Sequence, residues 1–103
     1  MNLETFFVKD GKTTILKTPA ARLLYGWDLA AWLNEAGTSL QEVGGTGVGI
    51  QPDGDAFIQG TVVCVWITGL DESDGAANSY TFRFVCADGS VDYRTIHFIK
   101  RPA

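Results

Sequence analysis

His97 is the single histidine of the chain, and acid–base or nucleophilic catalysis would have to run through it. No Ser or Cys stands with it in a recognisable triad order, so it reads as a polar residue on the outer side of a strand. Asp71-Glu72-Ser73-Asp74-Gly75 has the carboxylate density a calcium loop needs. It lacks the alternating ligands and the distal bidentate Glu, and reads as a solvated acidic loop. Gly44-Gly45-Thr46-Gly47 has the glycines of a phosphate-cradling loop without its lysine and following helix, and reads as a flexible connection. Asp53 and Asp55 flank Gly54, where turn chemistry already accounts for them. Cys64 and Cys86 are enough for one disulfide, but both fall inside apolar runs without the Cys…Trp…Cys spacing of a bridged sandwich. They read as free thiols buried like small apolar side chains. No catalytic, cofactor-binding or metal site is expected, and the chain is not expected to be an enzyme.

What must be positioned, then, is surface. At 103 residues, 46% apolar and 19% charged, the chain is expected to fold as one domain spanning 1–103 with its own core. A formal charge of −4 argues against a phosphate-driven nucleic-acid binder. No apolar run is long enough to cross a bilayer, so no membrane partner is expected. Met1-NLETFFVKDG has no basic segment followed by a long apolar core, which points to folding in a reducing cytoplasm.

The strand signal is strongest from Gly60 to Lys100. Runs rich in Val, Ile, Phe, Tyr and Thr at 61–68, 78–87 and 90–99 are separated by Gly and Asp clusters, as consecutive antiparallel strands are. Upstream, Leu3–Lys9 and Thr13–Thr18 flank the turn dipeptide Asp10-Gly11. Residues 1–18 therefore form an N-terminal hairpin, or an arm lying on a neighbouring molecule. Leu29, Trp32 and Leu33 have helical spacing, which predicts one short helix capped by Asp28 and stopped at Gly37. Thr38–Val43 and Gly47–Gln51 are weaker strands, Pro52-Asp53-Gly54-Asp55 a turn, and Ala56–Thr68 a long strand bent at Gly60.

The last hairpin can be registered. A two-residue turn at Asp88-Gly89 would set Phe82 against Thr95 and Arg83 against Arg94, mixing faces and opposing like charges. A loop of odd length brings Ile96 and Phe98 beside Tyr80 and Phe82. A type I turn with a bulge, Gly89 in the left-handed position, is predicted. The sheet is then one-sided, as a two-layer sandwich requires.

Val8-Lys9-Asp10, Leu24-Tyr25-Gly26-Trp27-Asp28 with Trp32-Leu33, Thr38-Ser39-Leu40, Val65-Trp66-Ile67-Thr68-Gly69, Tyr80–Cys86 and Ala87-Asp88-Gly89 follow one another in a telling order. In that order the chain resembles the small phage fibre–tail adaptor proteins. The resemblance implies an all-β, immunoglobulin-like antiparallel β-sandwich and a structural role in the virion, made in the host cytoplasm. It implies tail, baseplate and fibre proteins as partners, with several copies in the assembled particle. An immunoglobulin-like binding module of a cell-surface or adhesion system is the alternative.

Candidate partner contacts follow. Phe6 and Phe7 lie in the N-terminal hairpin, Trp32 on the helix, and Asp71, Glu72 and Asp74 in the acidic loop. The family pattern turns Val63, Val65 and Ile67 inward and leaves Cys64 and Trp66 outward. Trp66 then either anchors a partner or is covered by its own chain, for which the N-terminal hairpin is the expected cover.

Overall fold

In the computed structural model the described residues are 7–9, 12–17, 21–71, 73 and 77–100. They form strands β1 (Phe7–Lys9), β2 (Lys12–Lys17) and β3 (Leu23–Asp28), helix α1 (Ala30–Ala36), and strands β4 (Leu40–Val48), β5 (Ile50–Pro52), β6 (Phe57–Gln59), β7 (Val62–Leu70), β8 (Asn78–Cys86) and β9 (Val91–Lys100). One sheet runs β1-β2-β9-β8-β4 and the other β3-β7-β5, with β6 also paired to β7. From β3 onward the assignment is that of an immunoglobulin-like sandwich: β3, β7 and β5 take the places of strands B, E and D, and β4, β8 and β9 those of C, F and G. All pairs are antiparallel except β2 with β9, where Ile15 aligns with Phe98 and Lys17 with Lys100.

Alternation builds the core. Val63, Val65 and Ile67 of β7 face Tyr80, Phe82, Phe84 and Cys86 of β8 and Ile96 and Phe98 of β9, all essentially removed from solvent. Tyr25 from β3 meets Phe98 edge-on with ring centroids 5.0 Å apart. Leu29 and Leu33 close one end of the layer. The β8–β9 register agrees with the odd loop: Tyr80 pairs with Ile96 and Asn78 with Phe98, while Phe82 stands opposite Arg94. Gly89 N–H donates to the Cys86 carbonyl and Gly89 has φ +88°, the type I turn with a left-handed bulge residue.

Helix α1 starts slightly later than its cap suggests. Asp28 Oδ1 accepts from the Ala30 amide at 2.9 Å and from Thr61 Oγ1, while Leu29 occupies the capping position itself. At the other end Gly37 sits at φ +70°; its N–H donates to Asn34 and the Thr38 N–H to Leu33, a Schellman stop.

Three expectations need correction. Gly44-Gly45-Thr46-Gly47 is not a flexible connection but the middle of one continuous strand, β4, paired residue by residue with β8. Gly45 is required there because a Cβ would overlap the Tyr80 ring, which lies across the strand. The two weak strands are therefore β4 and, in the other sheet, the short β5. The chain changes sheets at Gly49, whose φ of +69° and closeness to the Asn78 side chain exclude any larger residue. Second, Ala56–Thr68 is a hairpin rather than a bent strand: Gln59 pairs with Val62, and Gly60, φ +64°, opens the two-residue turn. Third, Pro52-Asp53-Gly54-Asp55 reverses nothing. Strands β5 and β6 run the same way along β7; Pro52 ends β5, the Asp53 amide donates to the Trp66 carbonyl, and Gly54 at φ +97° bends the chain between the two strands without reversing it.

Strand β2 brings a lysine into the fold. Lys17 is fully buried, and its Nζ donates to the Ala21 carbonyl at 2.8 Å and to the Thr68 carbonyl at 3.4 Å, tying the two sheets together at that end. Burial pushes its pKa below the usual lysine range. Lys17→Met keeps the stem and removes the donors, leaving carbonyls without their partner. It should cost about 1–3 kcal/mol in a denaturant titration, and an unchanged midpoint would mean the lysine links nothing.

Candidate partner-binding surfaces

The residues singled out for contact do not gather at one place. Trp32, on α1, is half-buried at the end of the sandwich, meeting Phe84 edge-on at 5.5 Å. The Arg94 guanidinium lies 5.5 Å from its ring and pairs with Asp92 at 3.0 Å. The indole is thus wedged into its own domain. Hydrogen bonds from the Tyr93 amide and Arg94 hold the Asp92 carboxyl below the usual range.

Trp66 faces outward from β7, opposite Leu24 of β3, and is also half-buried. Its cover is Arg22, whose guanidinium carbon sits 4.1 Å from the ring centroid and which is ion-paired to Asp53. The expected cover was the N-terminal hairpin, but β1 and β2 extend the other sheet. Both partners of the ion pair are about half exposed, so the clamp contributes on the order of 1 kcal/mol and holds position more than stability. Cys64, on the same outer face, is fully buried, and burial pushes its thiol pKa up. Cys86 belongs to the core, and both cysteines are free.

Asp71 is exposed at the start of the acidic loop. Its Oδ1 accepts from the Ser73 amide, and hydrogen bonding to Ser73 holds its carboxyl below the usual range. Its own amide donates to the Gly49 carbonyl at 2.6 Å and to Asn78 Oδ1, and Asn78 Nδ2 donates back to the Asp71 carbonyl. The loop is thereby fastened to the point where the chain changes sheets. Glu72, Asp74 and Phe6 lie outside the described residues, as does the side chain of Phe7. His97 stands on the outer face, across from Ser79 and Thr14. Among the described residues no group of His, Cys, Asp and Glu comes together to hold a metal ion.

Residue types alone missed two features. The exposed large apolar side chains among the described residues are Val48, Val91 and Tyr93. All three project from the outer face of β4-β8-β9, around Arg83 and a ladder in which Thr81 and Thr95 share a hydrogen bond at 2.9 Å. Tyr93 stands opposite Arg83 and Val91 opposite Val85, and tyrosine and arginine are types enriched at interfaces. The alternation that placed Ile96 and Phe98 inside also sends Val91 and Tyr93 out, so this face was available from the sequence. The other feature is a cleft of about 590 Å³ between β4 and the 52–56 segment, lined by Val43, Gly44, Gly45, Pro52, Asp55 and Tyr80 among others. Burial, with the nearby Asp55 charge, pushes the Tyr80 hydroxyl pKa up.

The family model described as "Podophage GP4 fiber-tail adaptor protein gp77" matches residues 17–98. No curated protein matches the chain.

Proposed function

Since the chain belongs to the podophage fibre–tail adaptor family and is a structural adaptor, we propose that its neighbours in the virion grip it by the outer face of β4-β8-β9. The observation that carries this is the exposure of Val91 and Tyr93 side by side on this face, where β8 sets Val85 and Arg83 opposite them, with Val48 exposed at the far end of the same face beside Ser79. An exposed tyrosine paired with an arginine and flanked by two valines is the kind of anchor that partner surfaces favour. Fibre and tail or baseplate proteins are those partners, and several copies of the chain stand in a closed ring. The N-terminal segment with Phe6 and Phe7, the α1 end with Trp32, and Trp66 under its arginine form the margins of contact. Asp71, Glu72 and Asp74 register a basic neighbour rather than supply raw affinity. The work is mechanical joining, with no reaction catalysed. The adhesion-module alternative is not favoured by the family match.

Tyr93→Asp tests the face. Tyr93 is 55% exposed, so the variant should fold with stability within about 0.5 kcal/mol of the parent. Particles assembled with it should lack fibres. Fibred particles in normal number would remove this face from the account, and absence of the parent protein from purified tails would remove the virion role.

A further inference from the structure

Strand β4 ends its sheet: it pairs with β8 on one side, and no described strand pairs with the other. The backbone groups left there can be identified. The Cys86 amide donates to Ser90 across the turn, so even-numbered residues of β8 hydrogen-bond toward β9 and odd-numbered ones toward β4. The Ala87 amide, which donates to Ser39 in the chain leading into β4, fits the same alternation. Gly44 pairs with Arg83 and Thr46 with Thr81, and those two β4 residues are thereby turned to β8. The N–H and C=O groups of Val43, Gly45 and Gly47 point to the open edge. Proteins normally blunt such an edge with lysine, proline or a bulge. Here the stretch 43–48 has neither lysine nor proline, and the β4 bulge lies back at Leu40/Glu42.

The place beside this edge is where a variable-type immunoglobulin sheet adds a further strand, whereas this chain crosses directly to β5. We infer that an extended, basic segment of a neighbouring virion protein adds to the β4 edge as that missing strand. The cleft supports the occupant. With no side chain on Gly45, the Tyr80 ring is the floor beneath the edge, and Asp55 is the charged residue lining the cleft. A lysine or arginine stem of the incoming strand lies along Tyr80 with its charged head at Asp55. Main-chain pairing supplies affinity and this pocket supplies the choice of side chain. The inference rests on the adaptor reading but concerns a different surface from the outer sheet face.

The experiment compares the purified protein with the same protein in assembled tails. Amide hydrogen exchange of segment 43–48 should slow in tails. Zero-length carbodiimide coupling should join Asp55 to a lysine in one segment of a different virion protein. Asp55→Lys, at an exposed position, should fold normally and enter tails about tenfold less well or worse. Unchanged exchange at 43–48 in tails that contain the protein would overturn the edge pairing while leaving the adaptor role intact. Asp55 coupled to another copy of this chain, or full incorporation of Asp55→Lys, would overturn the basic partner segment. Tails lacking the parent protein would overturn the adaptor role, and this inference with it.

Discussion

Replacing Phe82 with alanine should lower the unfolding free energy by about 3–5 kcal/mol, the range for emptying a large aromatic site in a packed core. Phe82 has no exposed surface, and its ring meets that of Tyr80 edge-on at 5.0 Å. Arg83, the next residue, is exposed on the opposite face, and Arg83→Ala should cost about 0.5 kcal/mol or less. The adjacent pair makes the comparison sharp, because a one-residue slip of β8 would exchange their environments. Ile96 and His97 repeat the contrast on β9, with the larger loss again expected at the buried member. Chemical denaturation of the four variants reads it directly. Equal losses at Phe82 and Arg83 would refute the register.

A second adjacent pair, in β4, should split in the same way for a different reason. Gly45→Val places a branched side chain where the Tyr80 ring lies and should cost about 1–3 kcal/mol or somewhat more, since Tyr80 is itself held between the sheets. Gly44→Ala meets no atom within 4 Å and should be neutral, or stabilising by roughly 0.5 kcal/mol because a strand glycine is replaced. If both variants melt alike, β4 is not held against Tyr80, and the glycine run is the loose connection its composition suggests.

That run shows where sequence reasoning stopped. In β7, β8 and β9 each residue's facing could be read from strict alternation, because large apolar and polar types mark the two sides. The Gly89 turn followed from choosing the register that kept charges apart. In the glycine run of β4 the inward positions are Gly45 and Gly47, which carry no such mark. What makes Gly45 necessary is a tyrosine distant in sequence, and a constraint of that kind has no local signature. Trp66 failed similarly: its outward facing was legible, but the arginine that covers it is positioned by the 52–56 loop through Asp53. The backbone of Asp71, pinned to Gly49 and Asn78, fixes where the acidic loop begins, and that anchoring has no mark in the residue type. The outer face around Tyr93 carries no reactive residue type, and an interface needs none.

The parallel alignment of β2 with β9 has a bearing on how the domain carries force. Tension applied between the start of β2 and the end of β9 pulls the two strands in opposite directions along their common axis. Their ladder is then loaded in shear, with all its hydrogen bonds strained together, rather than opened one at a time from an end. An adaptor between fibre and tail is well served by placing β2 and β9 side by side in this way.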